Sequence, residues 1–283
     1  MLINFIRKPK SMTSMTSMTS MTSMHKWLRI IVVINLTACA TGKQVDPYFA
    51  NSVVSHDIDL ILDDDPTTLA TIEFIGNDLR EMPDSRHDEL FDQNSYIFKL
   101  SFDDQASVEI WAHSSFPNPQ DAKTYAEAVV RPLGKLPKAM RAKLNHVVLH
   151  KGNETAFSEH LGHFFVLYSE NITRRLSDND LEETVFHESV HATLDYKHSN
   201  DPVWIRAQRK DNAYVTQYGQ KNPKGEDLAE TALFAYSRLI NSERLPTILT
   251  EWLDTNIPNR LKYLSNLFSN MESDSPQLDF LKN

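Results

Sequence analysis

The run at residues 181–195, LEETVFHESVHATLD, constrains this chain more than any other, because it contains His-Glu-x-x-His. On a helix His187 and His191 stand at i and i+4, so both imidazoles project from one face, about one turn apart. In that geometry two nitrogens share one zinc ion, while Glu188, next to the first histidine, reaches a water held there and acts as general base. The spacing predicts a helix. Asn179 with Glu182 three residues on reads as a capping box, and Asp178 and Asp180 suit the positive end of the helix dipole. Leu181, Val185, Phe186, Val190 and Leu194 form an apolar stripe with no Gly or Pro inside it. The plain alternative is a core helix carrying two histidines. What separates the two is a third ligand.

Downstream, Gly225-Glu226-Asp227-Leu228-Ala229-Glu230 opens a second helical pattern at Glu226. Glu226 and Glu230 lie on one face of it. One serves as a metal ligand, and the other can hold a ligand histidine in its correct tautomer. Two solvated acids on a surface helix are the alternative.

HExxH with Asp195 four residues on, then Tyr218-Gly219, then Glu226-Asp227-x-Ala-Glu230, resembles the gluzincin-like zinc peptidases related to the catalytic domain of anthrax lethal factor. The resemblance spans about residues 120–242. It implies that His187, His191 and Glu226 bind Zn2+ and that Glu188 is the general base. It also implies that Tyr218 steadies the oxyanion, and that Asp195 and Glu230 back the ligand histidines. The loop from Gly219 to Glu226 is longer than the family pattern, which keeps Tyr214 beside Tyr218 as the hydroxyl donor. The entry domains of the anthrax protein have no counterpart here, so its host targets do not transfer.

The 283 residues are 41% hydrophobic and carry a net charge of −9, which suits one globular domain or two small ones. The acidic balance speaks against nucleic acid as a partner. Residues 11–24 repeat Met-Thr-Ser, a low-complexity run with no apolar face to bury. From Met24, the basic His25, Lys26 and Arg29 precede a short apolar run and then Leu36-Thr37-Ala38-Cys39. This is the order of a secretory signal, too short to span a bilayer. Leu-Thr-Ala-Cys resembles the lipobox of bacterial lipoproteins, which implies lipidation of Cys39, the chain's single cysteine. Ala40 in place of aspartate then implies the outer membrane, with the protein facing the periplasm.

The expected organisation is a leader and signal over 1–39, a tether over 40–66 and a peptidase-like domain over 67–283. That domain divides into a β-rich part at 67–175 and a helical part at 176–270, an α+β, zincin-like arrangement. Alternation predicts strands around 96–102 and 108–112, with a further one at 69–75. Short apolar runs predict strands at 146–150 and 163–168, joined by a loop over 152–162. The second of these runs, or its neighbour, is expected to be the edge strand that pairs with extended substrate. Pro119, Pro137, Pro202, Pro246 and Pro258 each open a helix. His146, His150, His160 and His163 are expected to be structural or at the surface, with one of them near the cleft. The expected activity is zinc-dependent endopeptidase cleavage of a peptide or protein substrate by an envelope-anchored enzyme. A non-catalytic, zinc-stabilised lipoprotein binding module is the alternative.

Overall fold

The structure, a computed structural model, describes residues 44–55 and 58–273. The Met-Thr-Ser repeat, the stretch expected to be a signal, Cys39 and residues 274–283 lie outside the described residues. Six strands form one mixed sheet: β1 (Leu69–Glu81), β2 (Phe91–Phe102), β3 (Ser107–Ala112), β4 (His146–His150), β5 (Phe157–Glu159) and β6 (Phe164–Tyr168). Their order is β1-β2-β3-β4-β6-β5. β1, β2 and β3 are antiparallel, β4 runs parallel to β3 and to β6, and β5 returns antiparallel to β6. The helices are α1 (Pro119–Lys135), α2 (Lys138–Arg141), α3 (Ser169–Ser177), α4 (Leu181–Thr193), α5 (Asp195–His198), α6 (Pro202–Lys210), α7 (Gln217–Lys221), α8 (Asp227–Ile240), α9 (Thr247–Asn256) and α10 (Pro258–Ser273). The fold is therefore mixed α/β, with the sheet in the N-terminal half and helices filling the C-terminal half. No helix among the described residues is long and apolar enough to cross a membrane.

Strand alternation divides the core between two faces. Phe98, Leu100, Val108, Ile110, Val147, Leu149, Phe165 and Leu167 enter the main core with apolar residues of α1, α4 and α8. On the opposite face Val148, Phe164, Val166 and Tyr168 form a smaller cluster with Met82, Trp111 and Phe157. His146 and His150 belong to this second face. His146 is stacked between Trp111 and Phe164, with ring centroids 3.5 and 4.7 Å away. Burial pulls both imidazoles down to about 4, so they stay neutral. They are structural, as their lack of ligand spacing implied.

α4 is buried on nearly every side, because α1, α3 and α8 pack around it along with β5 and β6. The expected capping box does not form. Asn179 takes a left-handed φ of 55°, a conformation asparagine tolerates, and ends the preceding turn. The N-cap is Asp180, whose carboxylate pairs with Arg175 at 2.7 Å instead of capping. Glu182 is drawn off to Lys135 at 3.0 Å.

Two further expectations change. The loop over 152–162 contains β5, which is too short for alternation to reveal. β5 ends the sheet on this side and β6 is its inner neighbour, the second of the two places expected for that run. Part of the stretch expected as a tether packs onto the domain. Val53, Leu60 and Ile61 are buried, and Glu183 of α4 accepts the backbone N–H groups of Leu60 and Ile61 at 2.8 and 2.9 Å. Its scattered apolar residues are enough to dock it, although they follow no period that marks an element.

Candidate metal centre

α4 places His187, Glu188 and His191 along one cleft, and the start of α8 brings up Glu226. The His187 and His191 Nε2 atoms are 3.0 Å apart. Glu226 Oε2 lies 3.2 Å from His191 Nε2 and 3.5 Å from His187 Nε2. One ligand atom from each residue falls within 4.8 Å of the others, so this group could hold a metal ion. The donor chemistry fits. His191 Nδ1 lies 2.7 Å from Asp195 Oδ2, and His187 Nδ1 lies 3.5 Å from Glu230 Oε1. The hydrogen bond to Asp195 favours a proton on His191 Nδ1, and Glu230 favours one on His187 Nδ1 by proximity alone, with no hydrogen bond formed there, which leaves the Nε2 lone pairs for a cation. Burial opposes charge on His191, yet Asp195 and Glu226 outweigh it and raise its pKa. Burial likewise opposes ionisation of Glu226, and the two imidazoles reverse this and hold its carboxyl well below the usual range.

Glu226 owes its place to α8. Arg260 is fully buried and pairs with Asp211 at 3.0 Å and Asp227 at 2.6 Å, which pins the first turn of α8 beside the site. α7 is capped by the Thr216 hydroxyl, which accepts the Gly219 N–H at 3.0 Å. Gly219 packs on α8: a Cβ there would make ordinary van der Waals contact, 3.4 Å from Asp227 Cα and 3.5 Å from Glu230 Cβ, and would stand closer, 3.2 Å, to the capping Thr216 hydroxyl. The next residue back, Tyr218, lines the cleft. Burial and the Glu226 carboxylate push the Tyr218 hydroxyl up to about 12, so it remains a donor at neutral pH. Tyr214 is elsewhere. Its ring packs against the Arg260 guanidinium at 4.7 Å, and it does not line the cleft.

The cleft has a volume of about 910 Å³. His187, Glu188, His191, Glu226 and Tyr218 line it, together with Asp195 and His160. β5 forms one wall through Phe157 and Ser158, and residues 50–52 form part of another. His163, in contrast, is spent on the fold: its Nδ1 contacts the Ala192 carbonyl at 2.7 Å.

Sequence reasoning missed three contributors. Ser52 Oγ donates to Glu230 Oε1 at 2.5 Å, and the Val53 N–H donates to Glu230 Oε2 at 2.7 Å, so the N-terminal segment anchors the acid behind His187. Ser158 Oγ reaches Glu188. A serine in a stretch with no periodicity carries no signal of either contact, since both partners are more than two dozen residues away in the chain. Comparisons with protein-family models, curated proteins and solved structures found no match to this chain.

Proposed function

We propose that the protein is a zinc-dependent endopeptidase. The observation that carries this reading is the His187–His191–Glu226 group at the base of an open cleft, with Glu188 lining the same cleft. Nitrogen and oxygen donors in this ratio suit zinc, which His187, His191 and Glu226 would hold. When bound, zinc would supply the Lewis acidity that polarises a carbonyl and makes water nucleophilic near neutral pH. The chain's own residues do the rest. Asp195 and Glu230 orient the two imidazoles. Glu188 takes a proton from the attacking water at a carboxylate oxygen and hands it to the leaving amine. The Tyr218 hydroxyl, kept protonated, donates to the developing oxyanion. β5 ends the sheet beside these groups, a place where an extended peptide can add as a further strand. The zincin-like fold belongs to this proposal, as does envelope anchoring at Cys39, which rests on the sequence of residues 24–39.

The test uses the full chain and a pool of internally quenched peptides with randomised residues. The wild type should bind about one zinc and cleave some of the pool. His187→Ala and Glu226→Ala should lose or greatly weaken zinc binding. Glu188→Gln should keep the zinc and lose the cleavage. Zinc binding without any cleavage by the wild type would favour the non-catalytic binding module. A wild type that takes up no zinc would sink both readings.

A further inference from the structure

Ser158 lies on β5 opposite Phe165 of β6. Phe165 belongs to the main core beneath the helices, whereas Phe157 packs into the cluster on the other face. Alternation along the strand therefore turns the Ser158 side chain toward α4. There its hydroxyl lies 2.6 Å from Glu188 Oε2 and 2.9 Å from the Glu188 carbonyl oxygen. A serine hydroxyl has one proton, which these two acceptors of the same residue share.

We infer that Ser158 is a positioning residue for Glu188: it holds the carboxylate of the base and ties it to the strand that would receive the peptide. This deepens the peptidase reading and rests on it. A carboxylate has two oxygens, and acid–base work needs only one of them. With the other engaged by Ser158, the glutamate side chain loses torsional freedom before substrate arrives, so less is lost during the reaction. The placement has a second consequence. Glu188 belongs to the helix that carries two of the metal-binding side chains, while Ser158 belongs to the sheet edge. One hydroxyl thus couples the two halves of the site, and a peptide that pairs with β5 stiffens the residue that holds the base.

Two measurements on the full chain test this. The first does not use activity. In metal-free protein, unfolding equilibria of Ser158→Ala, Glu188→Ala and the double variant form a cycle. The two sites should be coupled by about tenfold or more in the unfolding constant, as for a hydrogen bond to a charged group. Coupling below about twofold would show that the contact does not hold the carboxylate, and would overturn the proposal.

The second measurement compares steady-state cleavage of one quenched peptide taken from the active pool. Ser158→Ala should lower kcat about tenfold or more while KM changes little and the zinc content stays the same. Ser158→Thr, which keeps a hydroxyl, should recover most of the rate. A strand that merely needs a small residue there would be served equally by alanine. Full kcat in Ser158→Ala, in a protein that Glu188→Gln inactivates, would refute the role of Ser158 and leave the peptidase reading standing. No cleavage by zinc-loaded wild type would remove both.

Discussion

Glu183 stands one turn before His187 on α4, and only 1% of it is exposed. Its Oε1 accepts the Leu60 and Ile61 N–H groups. Burial drives its pKa up from 4.5 to about 7, with a smaller push from Glu182, against the opposing pull of those N–H groups. The folded protein thus binds this proton more tightly than the unfolded chain does. The stability from Glu183 is fully present below about pH 4.5 and is lost as pH rises through about 7. Moving a carboxyl over that interval corresponds to about 3 kcal/mol in full. Glu183→Gln retains an oxygen for the two N–H groups and cannot ionise. Urea denaturation of metal-free wild type and variant at pH 5 and pH 8 isolates the effect, because the two proteins differ in this one ionisable group. Between these pH values the variant should gain about 2–3 kcal/mol relative to wild type. A difference that stays the same at the two pH values would mean that Glu183 ionises in the folded protein at no cost. The argument from burial would then be refuted.

Other substitutions probe other parts of the structure. Ser52→Ala should cost about 1.5–3 kcal/mol in denaturant unfolding, since it removes a donor to a fully buried carboxylate, and it should weaken zinc affinity by about 10–100-fold through Glu230. Tyr218→Phe should lower kcat about a hundredfold or more with little change in KM, measured on the same quenched peptide. Gly134→Ala should destabilise by about 1–3 kcal/mol, because the new Cβ would fall 2.0 Å from Thr67 Oγ1 and 3.1 Å from the Leu69 nitrogen. A second change, Thr67→Ala, should restore part of that loss in a thermal melt.

The groups that meet at the centre were legible in the sequence because they rest on local periodicity. His187 and His191 are one helical turn apart, as are Glu226 and Glu230, and Asp195 follows His191 at the same interval. Each set therefore shares a face whatever surrounds it. The long strands and the proline-opened helices were legible for the same reason: alternation and capping act over a few residues. Where local signals competed, the structure went another way. Asn179 and Glu182 spell a capping box, but Arg175 and Lys135, distant or off the helix, offered their neighbouring acids stronger charged partners.

What the sequence alone determined is a helix that presents two imidazoles and a glutamate to one cleft, with a second pair of acids to meet them. Tertiary structure alone decided that Tyr218 rather than Tyr214 reaches that cleft, since this turns on how α7 packs against α8 and on Arg260 stacking on the other ring. It alone decided that β5 is the terminal strand, that residues 52 and 53 clasp Glu230, and that Ser158 meets Glu188. The physical reason is separation along the chain. A contact between residues far apart forms only when packing of the intervening elements has already paid its closure entropy, and neither partner carries a local trace of the other.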